Sequence, residues 1–75
     1  MRRLGEVVRT AQGLAVVRCP DDDHPEIGTE AVDETLEPVG RVVDVIGPVA
    51  RPYLVIALEG DRSPASLLNE PIYGR

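Results

Sequence analysis

Phenylalanine, tryptophan and lysine are all missing from this chain, and its 75 residues include two tyrosines, one histidine and one cysteine. Each absence excludes something. Without large aromatics the core must be assembled from Val, Ile, Leu and Ala, and the stacking platform of a single-strand or RNA-recognition sheet is missing. Cys19 has no second cysteine to pair with, so no intrachain bridge forms, and an intracellular setting is the simpler expectation. No apolar run approaches the ~20 residues needed to cross a bilayer. The opening Met1-Arg2-Arg3-Leu4-Gly5-Glu6 turns acidic before the hydrophobic stretch of a signal peptide could begin. A cytoplasmic protein with no membrane partner is expected.

What remains is a small acidic chain. An apolar fraction of 43% is ordinary for a globular protein and too high for intrinsic disorder. Seventy-five residues suit one domain, 1–75, near the lower end of what a single core stabilises alone, so support from a partner is expected. Thirteen acidic residues oppose eight basic ones, all arginine, for a net charge of −5. That balance opposes binding to a phosphate backbone through bulk electrostatics, without forbidding a local basic patch. An acidic excess without lysine fits a high-salt cytoplasm, and GC-rich coding accounts for it equally. The arginines, at 2, 3, 9, 18, 41, 51, 62 and 75, are dispersed and read as solvated surface charge.

The most specific stretch is residues 39–58, VGRVVDVIGPVARPYLVIAL. Two runs rich in Val, Ile and Leu, 39–46 and 53–58, have ordinary strand lengths and a composition suited to a pleated surface. Between them Gly47-Pro48-Val49-Ala50-Arg51-Pro52 is rich in turn residues, and its prolines restrict both Gly47 and Arg51. The stretch reads as strand, stiff loop, strand, presenting a rigid apolar surface. Gly40 suits close packing or a bend, and Gly47 suits a turn of unusual φ. Asp44 either faces solvent or joins a buried polar network. Tyr53, beside a proline, reads either as a protein-contact anchor or as half-buried packing.

On either side, residues 3–11 and 14–18 predict a hairpin turned at Gln12-Gly13. Residues 19–29 predict a loop, residues 30–33 a brief strand, and 59–65 another loop. Residues 66–70 predict a short turn that Pro71 keeps from lengthening into a helix, and residues 71–73 a last edge strand. No internal repeat and no amphipathic helix are read. Five or six short strands with Gly/Pro turns predict an all-β fold, a small closed β-barrel that leaves no strand edge open.

No constellation predicts catalysis. Asp21-Asp22-Asp23-His24 are consecutive residues in a loop, lack the spacing of a calcium-binding loop, and read as solvated acid, with a weak cation site as the alternative. His24 could titrate there but has no defined partner. Cys19 lies among acids, which disfavour a thiolate, and reads as a buried or bystander thiol. Neither a phosphate loop nor a cofactor motif is present. The expectation is a protein that is not an enzyme and takes no metal, cofactor or small-molecule substrate.

The pattern Val39-Gly40-x-Val42-x-Asp44-x-x-Gly47-Pro48-Val49-x-x-Pro52-Tyr53 resembles the core signature of the Gar-one family, the small β-barrel subunit of H/ACA ribonucleoproteins. Arg3-Leu4-Gly5-Glu6-Val7-Val8, residues 14–18 and Asn69-Glu70-Pro71-Ile72-Tyr73 fall where that family has its outer strands. The resemblance implies a six-stranded barrel related to the second domain of translation factors. It implies an accessory subunit that docks on a dyskerin-type pseudouridine synthase and affects a mobile synthase loop, aiding substrate loading and release in rRNA pseudouridylation. Guide RNA would be engaged only indirectly, through the particle. Lacking Gly-Arg-rich tails, the chain looks like the short archaeal type. By position, the implied partner-facing residues are Gly47, Pro48, Val49, Pro52 and Tyr53, while Val39, Gly40 and Asp44 maintain strand and loop shape. The alternative is a translation-factor-like barrel that binds RNA directly, which needs an arginine stripe that only folding could assemble.

Overall fold

Alternation of apolar and polar residues along short β-branched runs gives six strands: β1 (Arg2–Ala11), β2 (Leu14–Arg18), β3 (Glu30–Val32), β4 (Pro38–Ile46), β5 (Tyr53–Leu58) and β6 (Pro71–Gly74). The computed structural model describes residues 2–20, 22–60 and 64–75; Met1, Asp21 of the acidic run and residues 61–63, with Arg62, lie outside the described residues. All pairings are antiparallel and close a barrel in the order β1-β2-β5-β4-β3-β6, with β6 returning to β1. The fold is the small closed six-stranded barrel expected, with bounds within a residue of those predicted. A 3-10 turn, Pro64–Leu67, starts two residues before the short turn read at 66–70, within the expected loop. No described helix is long and apolar enough to cross a membrane.

The inward side chains form one aliphatic core containing Leu4, Val7, Val17, Val42, Leu54, Ile56 and Ile72, joined by Leu67 from the 3-10 turn. Cys19 is buried in this core, as a bystander thiol would be. Between β3 and β4 the chain reverses around Asp33. Its Oδ1 accepts the Thr35 and Glu37 N–H groups at 2.8 and 3.0 Å, leaving Leu36 at a φ of 69°.

Contrary to the sequence reading, the chain contains an internal repeat. Leu4-Gly5-Glu6-Val7-Val8-Arg9 in β1 corresponds to Val39-Gly40-Arg41-Val42-Val43-Asp44 in β4. In each strand the register to its hairpin partner skips the second valine: Val7 faces Val17 and Arg9 faces Val16, while Val42 faces Ile56 and Asp44 faces Val55. The surrounding bonds match. Val7 N–H donates to Glu70 O at 3.1 Å and Val42 N–H to Thr29 O at 3.0 Å, while Cys19 N–H reaches Pro52 O at 3.0 Å and Leu58 N–H reaches Gly13 O at 2.9 Å. An approximate twofold therefore runs through the Val16–Val55 pair of β2 and β5. The repeat escapes a linear reading because its charges are reversed, Glu6 for Arg41 and Arg9 for Asp44, and the flanking loops differ.

Each half closes in the same way. A skipped residue adds local bend and twist, which a barrel of few strands needs. Next to it, a glycine lets two backbones meet. A Cβ on Gly40 would lie 2.0 Å from the Ala57 carbonyl oxygen, and one on Gly5 would lie 1.9 Å from that of Arg18. Both neighbours are backbone atoms, which cannot swing aside. Gly40→Ala is expected to cost about 1–3 kcal/mol through forced strand separation. An unchanged denaturant midpoint would show that β4 and β5 tolerate parting.

Candidate functional site

The β4–β5 connection is longer than the fold requires. Its counterpart between β1 and β2 turns in two residues, Gln12-Gly13, whereas residues 47–52 take six. The extra length makes a shaped protrusion. Gly47 has a φ of 86°, where a side chain would be strained, and a Cβ there would lie 2.9 Å from Cδ2 of Tyr53. The half-buried Tyr53 ring thus packs over Gly47, holding the base of the loop. Pro48 and Ala50 are exposed at its tip, and Val49, at 90% exposure, is the most exposed large apolar residue described.

Pro52 departs from the expectation. It was read as partner-facing, yet it is buried and its carbonyl accepts the Cys19 N–H. Proline following Arg51 aims the carbonyl across to the end of β2, so its contribution is to the barrel. Of the remaining expected contacts, Gly47, Pro48, Val49 and Tyr53 are brought together at one end of the β4–β5 hairpin. Val39 and Gly40 are buried within β4. Asp44 lies exposed on β4, and its Oδ1 accepts the neighbouring Val45 N–H at 2.8 Å, the solvent-facing alternative.

Beside the loop, the outer face of β1, β2, β4 and β5 carries an apolar groove that linear reading missed. Val8, Val16, Ile46 and Tyr53 line it, with Arg9 at its margin. Val55, half-buried on the same outer face, sits opposite Val16. A strand buried on one side should alternate, so consecutive aliphatics such as Val7-Val8, Val16-Val17 and Val45-Ile46 force one of each pair toward solvent. That doubling was the available signal. Val8 is the outward member of its pair, and the register to β2 skips it.

Adjoining this groove is a recess of about 340 Å³ whose lining includes Arg3, Arg18, Arg51 and Asn69, with Val8 common to both depressions. Residues as far apart in sequence as Arg3 and Asn69 therefore meet here. The described arginines outside both depressions are matched: Arg2 lies 2.9 Å from Asp23, Arg75 3.0 Å from Glu30 and Arg41 3.7 Å from Glu59. In the recess, Arg3 only approaches Glu6 at 3.9 Å, and among the described residues Arg18 and Arg51 have no carboxylate within ion-pair distance. Among the described residues, the two adjoining depressions hold four arginines and one acid, Glu6, on a chain of net charge −5.

Among the described residues no three His, Cys, Asp or Glu side chains gather as a metal site. Within the acidic run, His24 places Nδ1 2.9 Å from the Pro25 carbonyl oxygen, and Asp23 engages Arg2. The face described above is suited to binding another macromolecule through shape, aliphatic contact and guanidinium groups.

Replacing residues 47–52 with Gln-Gly, the turn used by the other half, is expected to leave the barrel folded. Gly13 already supplies the carbonyl that Pro52 supplies here. The shorter closure favours folding by about 1 kcal/mol, and a thermal melt showing an unfolded chain would instead make the loop part of the scaffold. In sequence the chain matches no family model and no curated protein, so the motif and the geometry of this face carry the functional reading.

Proposed function

We propose that the chain is a non-catalytic accessory subunit of an H/ACA-type ribonucleoprotein, docking on its dyskerin-type pseudouridine synthase. The observation that carries this reading is the pattern at residues 39–53 forming a strand, an overlong loop and the start of a second strand, with Pro48 and Val49 held out and Tyr53 anchoring the base. The resemblance of that pattern to the Gar-one signature supplies the identity of the partner. The fold itself is compatible with many roles and does not choose among them.

In this reading the loop and the adjoining groove meet the synthase. Docking biases the population of a mobile loop on the enzyme, and so assists substrate loading and release in rRNA pseudouridylation. A second reading, direct RNA binding, is supported by the convergence of Arg3, Arg18 and Arg51. The aliphatic groove beside them and the near absence of aromatics favour the protein partner, because a phosphate backbone gains little from Val and Ile.

Pro48→Ala combined with Tyr53→Ala is expected to weaken synthase binding by about 2 kcal/mol or more while leaving the barrel folded, since a buried tyrosine anchor commonly contributes that much. Calorimetric titration of the folded double variant checks this. Equal affinity for wild type and variant would remove the loop from the interface.

A further inference from the structure

The twofold of the barrel provides an internal control for which residues the fold itself needs. Arg3, paired with Tyr73, corresponds to Pro38, paired with Val32; Arg18, paired with Glu6, corresponds to Ala57, paired with Arg41. Arg51 lies in the longer loop and has no counterpart in the two-residue turn. One half of the barrel therefore closes with proline and alanine where the other carries guanidinium groups. Closure does not require the arginines, and in the described residues neither Arg18 nor Arg51 is matched by a carboxylate.

We propose that the recess between Arg3, Arg18 and Arg51 receives carboxylates from an acidic, aliphatic segment of the protein partner, whose apolar residues lie in the groove of Val8, Val16, Ile46 and Tyr53. This rests on the docking reading above for the identity of the partner, but not for the chemistry. Three guanidiniums around one depression can each offer paired N–H donors in the fork geometry that carboxylates accept. The groove is continuous with the recess through Val8, so a single segment can engage both. Charge complementarity sets its sign: among the described residues the two depressions carry four arginines and one acid, Glu6. A nucleic-acid strand would gain little from Val8, Val16 and Ile46, which make up most of the groove.

The test uses the full chain, labelled with nitrogen-15, and a soluble peptide alternating leucine and glutamate, with a leucine–lysine peptide and a uridine oligonucleotide as comparisons. The leucine–glutamate peptide is expected to shift the amides of Arg18, Cys19, Arg51 and Val8, and the shifts should vanish in Arg18→Gln/Arg51→Gln, whose otherwise unchanged spectrum reports a folded barrel. Glutamine is chosen because glutamate at position 18 would face Glu6 across the strands. No shift with the acidic peptide, equal shifts with the lysine peptide, or a response to the oligonucleotide alone each overturns the proposal. Against the purified synthase, the same double variant is expected to lose about tenfold or more in affinity and much of the salt dependence of binding. Wild-type binding left untouched by the variant overturns the proposal. A wild type that ignores the synthase but keeps the peptide response supports the recess and overturns only the partner named above.

Discussion

Closure of this barrel depends on two places where a strand lies so near its neighbour that no side chain fits between them. Gly5 faces the Arg18 carbonyl and Gly40 that of Ala57, and in each strand a skipped valine three positions on bends the chain. With only six short strands, curvature must be concentrated in this way, because a gently bent sheet of this width would not meet its own edge. The aliphatic core then fills the interior without any ring large enough to span it. Large and small residues alternate across the twofold, Leu54 matching Ala15 and Ile72 matching Ala31.

Closure also determines how such a protein can meet a partner. Every strand has hydrogen-bonded neighbours on both sides along at least part of its length, so no strand offers a whole open edge. Side chains on the outer faces and the loops at the barrel ends are the larger surfaces left for recognition. It is there that the two halves, otherwise equivalent, diverge: six residues replace a two-residue turn, and arginines stand where the other half has proline and alanine. A rigid scaffold with elaborated surface features suits a subunit that acts by docking.

The face that results joins two kinds of contact. Aliphatic side chains exposed beside a stiff loop provide area whose removal from water favours association. The arginine recess provides direction, since misplaced charges at its border lose their partners and cost affinity. Asp23, Glu30 and Glu59, each beside an arginine of its own, lie outside these two depressions. Net charge thus described the chain while hiding the local sign of this face.

Sequence alone determined the strands, the loops between them and the loop-bearing motif, because period-two alternation, β-branched composition and Gly/Pro punctuation act over a few residues at a time. It also marked Gly40 and Gly47 as positions of close approach and unusual φ, for reasons local to the backbone. The burial of Pro52 was not legible, because its carbonyl bonds to the Cys19 N–H, more than thirty residues away (52 − 19 = 33). The repeat stayed hidden behind reversed charges until the strand register aligned Glu6 with Arg41 and Arg9 with Asp44. Arg3, Arg18 and Arg51 looked dispersed in the chain, and only the closed barrel brought them around one recess. Local pattern specifies which way a side chain points from its strand; which strands become neighbours is decided by burial of the whole core at once, and the site belongs to that second level.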